Sequence, residues 1–319
     1  MCSSSLSGMG AEPREIAMSR GKQATPEAAR LEAAPGSAGN AHCAGTGPMR
    51  ALRIAIALTV LVSSGSAADQ RRELRVCADP DNLPFSNDRL EGFENKIAEL
   101  VAGELDASLR YTWQPQRRGF IRRTLKAGEC DLVVGVPSGY GPVLATKPYY
   151  RSTYVFVYAK SRHLELQSFD DPVLRQLRIG LHAFGEDGAN SPPAHALARR
   201  GITRNVTGFT ILDTADSPPG KIVDAVAAGE IDVAIVWGPF AGYFAGRQPV
   251  AMEVVPVSSS TDGRFLPLAF DMSMGVRRGD SGLKQEMEGI LDRRRGDIQK
   301  ILAEYGVPLV GEAPLASHP

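Results

Sequence analysis

The segment Ala127-Gly-Glu-Cys-Asp131 recurs 101 residues later as Ala228-Gly-Glu-Ile-Asp232, and no other feature constrains the fold as much. Each copy follows an amphipathic helical pattern and leads into an apolar run, then into a Pro-containing stretch with a Gly-Tyr pair, Gly139-Tyr140 and Gly242-Tyr243. Upstream, Leu74 to Asp79 has a counterpart in Arg178-Ile-Gly-Leu-His-Ala183. Short apolar runs bounded by Gly and Pro read as strands buried on both faces, which require helices on either side. Two copies of strand, helix and helix-Gly-strand therefore predict two similar α/β lobes.

Within the first copy, Leu74-Arg-Val-Cys-Ala-Asp79 reads as a strand and Pro80 to Phe85 as a polar turn. Phe93, Ile97, Leu100, Val101 and Leu105 then recur at helical spacing. Ligands of open α/β sheets bind beyond the carboxyl ends of the strands, which is where Asp81 and Phe85 would stand. Ala107 to Trp113 alternates as a second strand. Phe120, Ile121 and Leu125 mark a short helix closed at Gly128. Between the copies, Tyr149 to Tyr158 is rich in β-formers, and Phe265 to Val276 is strand-like again. A final helical pair carries Leu283, Met287, Ile290 and Leu291, then Ile298, Ile301, Leu302 and Tyr305. The economical topology makes the two β stretches crossings between lobes. Lobe 1 then takes residues 69–158 and 270–310, lobe 2 takes 159–269, and 311–319 is a flexible tail.

Residues 1–48 are rich in Ala, Gly, Ser and Pro without apolar periodicity, as in a disordered segment. Met49-Arg-Ala-Leu-Arg53, the apolar run Ile54 to Val62 and the small-residue end Ser63 to Ala68 make a secretory signal peptide, 49–68. A signal is expected at a start codon, so Met49 reads as the true start and 1–48 as an over-extended reading frame or a disordered extension. The mature chain would begin near Ala68 or Asp69, in the periplasm, without a membrane span. Of four cysteines, only Cys77 and Cys130 follow the signal. Two readings stand for them, a disulfide favoured by the oxidising compartment or two buried thiols.

Formal net charge is zero, which gives no reason to expect nucleic acid or an anionic membrane as partner. Asp79, Asp81, Asn82, Asp88, Glu91 and Glu94 are rich in oxygen but lack the calcium-loop pattern, and no His or Cys cluster is present, so no metal is expected. A phosphate-binding Gly-rich loop and a Ser nucleophile elbow are also absent from the sequence, and no cofactor is expected.

The order Leu-Arg-Val-x-Ala-Asp, Leu-Pro-Phe, Glu-Gly-Phe-Glu, Ala-Gly-x-x-Asp, Pro-Tyr-Tyr resembles the type II periplasmic solute-binding proteins of ABC transporters, over roughly residues 73–309. Four phrases resemble one branch more closely: Cys77 to Ser86, Trp113 to Phe120, Pro148 to Val157 and Asp187 to Ala198. That branch is the binding-protein-like components, MoxJ and XoxJ, associated with quinoprotein methanol dehydrogenases. The resemblance implies a two-lobed α/β type II fold, two doubly wound mixed sheets joined by two hinge strands. It further implies a non-enzymatic accessory that helps mature or activate a dehydrogenase dependent on pyrroloquinoline quinone. The partners it implies are that dehydrogenase and its cytochrome c.

Amino-acid-binding members usually place an Arg past the third strand of the first lobe and an acid past its equivalent in the second. Here those loops are Ser138-Gly-Tyr-Gly-Pro-Val-Leu144 and Trp237-Gly-Pro-Phe240. An α-amino acid would leave both charges unpaired, a costly arrangement in a desolvated cleft. Trp237, Phe240, Tyr140 and Tyr243 are read as strand-end loop residues facing the cleft, where they grip a partner or stack a planar ligand, or simply pack. Ser138 and Arg151 border the same cleft. His182 to Asn190 precedes the Pro192-Pro193 helix start and is either a cap or an anion-receiving terminus, with Glu186 and Asp187 opposing an anion. Arg117, beside Arg118, is a solvated turn or a contact for an acidic partner. Two alternatives stay open: a transporter receptor for a small polar ligand other than an amino acid, and a cyclohexadienyl dehydratase-like enzyme with Glu94 or Glu91 as its acid.

Overall fold

The computed structural model describes residues 72–184, 189–210, 219–258 and 266–311. The signal segment, the residues before it, Glu186 and Asp187 lie outside the described residues. The chain opens with β1 (Arg72–Ala78), the short hairpin β2 (Asp81–Asn82) and β3 (Ser86–Asn87), then α1 (Phe93–Glu104). Asn95 fixes the start of α1, because its Oδ1 accepts the backbone N–H of Gly92 at 3.0 Å and of Asn87 at 3.1 Å. β4 (Ala107–Trp113), α2 (Phe120–Arg123), β5 (Leu132–Pro137), β6 (Leu144–Ala145) and β7 (Tyr150–Ala159) follow. The second copy runs β8 (Ile179–Phe184), β9 (Ala189–Asn190), α3 (Pro192–Arg199), β10 (Val206–Thr210), α4 (Lys221–Ala227) and β11 (Val233–Trp237). Then come α5 (Gly238–Ala245), β12 (Met252–Pro256), β13 (Ala269–Val276), α6 (Ser281–Arg293) and α7 (Arg295–Glu304).

The two copies build matching sheets. In the first, β4, β1 and β5 lie parallel in that order, with β13 antiparallel beyond β5. In the second, β10, β8 and β11 repeat the arrangement, with β7 antiparallel beyond β11. The crossings join them: Tyr150 to Thr153 of β7 pair with Ala269 to Met272 of β13, and Tyr154 to Val157 pair with β11. This is the two-lobed type II binding-protein fold, two mixed sheets hinged on two strands. β5 and β11 both run antiparallel to the strand that leaves the crossing. The carboxyl ends of the parallel strands in both lobes therefore converge on it.

The repeated motif is an ion-pair clasp. Arg75, in β1, grips Asp131 at the entrance to β5 with Nη2–Oδ1 of 2.6 Å and Nε–Oδ2 of 2.9 Å. Arg178, just before β8, grips Asp232 before β11 with 2.8 and 3.1 Å. Gly128 and Gly229 hold left-handed φ of 82° and 72°, and their carbonyls accept further N–H groups from the same two guanidiniums at 2.8 Å. Each lobe thus clips its first strand to its third. Sequence reasoning missed both arginines.

Cys77 and Cys130 form a disulfide, with Cα atoms 5.5 Å apart, buried among Phe120, Ile121, Leu125, Val133 and Val136. The pairing of Val76 with Leu132 brings the two cysteines together. α6 and α7 return to the first lobe, where Met287, Ile290, Ile298 and Leu302 pack with Phe93, Ile97 and Val101. A third join lies beside the crossing. At Gly242 of α5 a Cβ would stand 1.8 Å from the carbonyl of Gly306, so only glycine fits. Next to it Tyr243 stacks on Tyr305, centroids 5.8 Å apart, and the Arg247 guanidinium lies 3.4 Å over the Tyr243 ring. The chain then runs along β7, where Pro308 O accepts from Ser152 Oγ at 2.7 Å and Val310 N donates to Arg151 O at 3.1 Å.

Candidate functional site: the cleft floor

Where the strand ends converge, the floor is aromatic. Trp237, the last residue of β11, meets Tyr154 at 5.5 Å and Phe270 at 5.7 Å, both edge to face, and touches the cores of both lobes. Burial pushes the Tyr154 phenol up to about 12. Beside this trio, Arg151 and Asp271 face each other across the crossing strands and pair at 2.8 Å. Asp271 Oδ1 is buried without a hydrogen-bond partner among the described residues. Ser138 hangs at the end of β5, sharing a 2.6 Å hydroxyl bond with Ser273 and donating its N–H to Asp271 O at 2.8 Å. Tyr140, on the loop beyond, is 41% exposed. Trp237, Arg151 and Ser138 therefore come together around one crossing, with Tyr140 at its rim.

Phe240 and Tyr243 correct the sequence reading. They stand on helix α5 rather than on a strand-end loop, and both are buried. Gly238-Pro239, read as a loop, opens a helix, because proline's fixed φ suits the first turn. Phe240 packs in the second lobe's core and against His182, ring centroids 4.6 Å apart. Burial lowers the His182 pKa to about 4, so this imidazole is neutral near pH 7. Asn190 lies in β9, its backbone paired with Ala183. Ser191 is the N-cap of α3 but makes no capping bond, and its hydroxyl is buried without a described partner.

Glu94 lies apart from the trio, at the start of α1. Its carboxyl rests on β5, where a Cβ at Gly135 would stand 2.0 Å from Oε1. Among the described residues it has no hydrogen-bond partner, and burial raises its pKa to about 8. Tyr149 and Tyr150 are pushed well above the usual phenol range by burial, with the Glu94 charge adding to it. Phe85 packs on Phe93 at 5.3 Å, while Asp81, in β2, and Arg117, on the turn before α2, are exposed. No group of three or more His, Cys, Asp or Glu among the described residues could hold a metal ion. No described helix is long and apolar enough to cross a membrane.

Two hinged lobes around a cleft define a periplasmic binding protein of the type II class. Residues 74–308 match the profile of the bacterial extracellular solute-binding proteins, family 3, and the chain belongs to that family, on its MoxJ/XoxJ-type side. It is 31% identical over 252 residues to Protein MoxJ of Methylorubrum extorquens, spanning 74% of this chain and 81% of that one. The crystal structure of periplasmic binding protein XoxJ from Methylobacterium extorquens matches with a TM-score of 0.62 and 38% identity, over 75% of this chain and 100% of that one. MxaJ from Methlophaga aminisulfidivorans matches with 0.66 and 27%, over 74% and 100%.

Proposed function

We propose that this protein is a periplasmic accessory that docks to a quinoprotein methanol dehydrogenase and supports its maturation or activation, instead of carrying a nutrient. Similarity to MoxJ, XoxJ and MxaJ supports the assignment to methanol oxidation. The observation that carries the docking reading is the cleft floor. Its cation, Arg151, is already neutralised by Asp271, and beside that pair stand the half-buried rings of Trp237 and Phe270, backed by buried Tyr154. An α-amino acid would meet there no spare guanidinium for its carboxylate, and the carboxylate nearest its ammonium, Asp271, is already committed to Arg151. Aromatic side chains suit a protein partner, because buried rings dominate interface energetics. The rim residue Tyr140 is exposed and ready for contact.

Co-purification of the tagged protein with the dehydrogenase, together with dehydrogenase activity in a deletion strain, tests the reading. Tyr140→Ala and Trp237→Phe are the informative variants, since Trp237→Ala would open a cavity between two cores. The expected result is association by wild type that is weakened in both. Absence of association together with unchanged activity in the deletion strain would refute it. Association equally strong in both variants would move docking away from the cleft.

A further inference from the structure

The edge of the first lobe carries a charge imbalance that the cleft does not use. From Ala107 to Gly128 the sequence holds six basic residues and no acidic one. Arg110 is paired with Glu73 at 3.0 Å. The other five, Arg117, Arg118, Arg122, Arg123 and Lys126, are all exposed and have no carboxylate partner among the described residues. Arg118, Arg122 and Arg123 meet around one knuckle at Gly119, with Arg117 just before it in the chain and Lys126 three residues beyond Arg123. Gly119 turns the chain with a left-handed φ of 86°, and a Cβ there would lie 2.8 Å from Arg123 Nη1 and 3.4 Å from Arg122 Nη2. Arg123 Nη1 also donates to Arg118 O at 3.0 Å.

The knuckle is fastened to the first lobe on two sides. Phe120, Ile121 and Leu125 anchor it on the buried disulfide. Gln116, immediately before it, donates its N–H to the Asp79 carboxylate at 2.6 Å, and its side chain accepts from Asn82 at 3.2 Å. Those bonds tie the knuckle to the loop at the carboxyl end of β1. Cations held this close repel one another within a Debye length of about 8 Å, and carboxylates from outside would relieve that repulsion.

We infer that this knuckle docks an acidic segment of a partner protein, guanidinium to carboxylate. Four of its five cations are arginines, whose planar fork takes a carboxylate by two bonds at once. A lipid surface is a poorer match. Membrane-surface elements combine cations with inserted apolar side chains, whereas Phe120, Ile121 and Leu125 all point inward and are buried. The inference rests on the docking reading only in naming the dehydrogenase as that partner.

The test compares wild type with Arg117→Glu/Arg122→Glu and with Arg117→Gln/Arg122→Gln, positions whose side chains make no hydrogen bond within the described residues. Thermal melts confirm that the variants fold. Association is measured at about 50 and 500 mM salt against purified quinoprotein methanol dehydrogenase, a synthetic Glu-rich peptide and phosphatidylglycerol vesicles. Expected are association rates to dehydrogenase and peptide that fall about tenfold on charge reversal and on raising salt, with the Gln variant intermediate. Peptide binding that depends on the knuckle, without dehydrogenase binding, would sustain the inference while removing the docking reading. Dehydrogenase binding that is identical in all three proteins at both salts would overturn the inference and leave docking intact. Knuckle-dependent binding to vesicles alone would also overturn it, and absence of binding to every probe would remove both.

Discussion

Replacing Glu94 by Gln removes a half-buried, unpaired acid while keeping its shape. Burial holds this carboxyl near 8 in the folded protein, against 4.5 for an ordinary glutamate. Between those values the native state keeps a proton that the unfolded chain releases. Its stability contribution is therefore complete below about pH 4.5 and is lost as pH rises through about 8. At about 1.4 kcal/mol per pH unit the full window amounts to at most about 5 kcal/mol, and any water reaching the carboxyl lowers it. Buried His182, lowered to about 4, gives the opposite slope below its ordinary 6.5. The clean interval is therefore pH 6.5 to 8, where about 2 kcal/mol of difference is expected. Guanidinium titrations followed by Trp113 and Trp237 fluorescence measure it. Glu94→Gln should match wild type near pH 5 and exceed it near pH 8. Parallel pH profiles for the two proteins would show that the carboxyl is solvated, and the reasoning would fall.

Three further expectations follow from the fold. Replacing both Cys77 and Cys130 by Ser releases a loop of sequence separation 53 and should lower stability by about 4 kcal/mol, read by denaturation with and without reductant; an unchanged midpoint would refute it. Asp232→Asn breaks the clasp with Arg178, which holds the Asp232 carboxyl below its usual range, and should cost about 2 kcal/mol at pH 7. Because a lowered carboxylate stabilises only when ionised, that cost should shrink as pH falls below the ordinary aspartate range, and a difference that persists in acid would contradict the clasp. Calorimetry against a panel of common amino acids should show no micromolar binding, and one tight ligand would reverse the reading of the floor.

The lobes and their crossings were legible because the repeat and the apolar runs are local signals. The partner of the repeated aspartate was not, since Arg75 and Arg178 stand 56 and 54 residues upstream of it. Phe240 and Tyr243 were misplaced because Gly-Pro serves equally to break a chain and to start a helix. Glu94 is readable as a candidate, but its burial depends on the missing side chain at Gly135, which only the packing of α1 on β5 reveals. Trp237, expected on a strand-end loop, is the last residue of β11, and Arg151 lies in the expected β stretch from Tyr149 to Tyr158. That Asp271 would neutralise Arg151 depended on the antiparallel register of β7 and β13.

The join of Gly242 to Gly306, with Tyr243 stacked on Tyr305, changes the mechanics of the molecule. Two crossing strands alone make a door that swings. A third fastening, set off their axis and made of backbone in contact with backbone, makes a frame. Spreading the lobes would have to peel one aromatic ring from another and part a contact that no side chain cushions. Each widening of the mouth therefore gives up that stack and that contact, so the lobes carry a bias toward the arrangement seen here, and whatever seats there has less ordering left to do at the moment of contact.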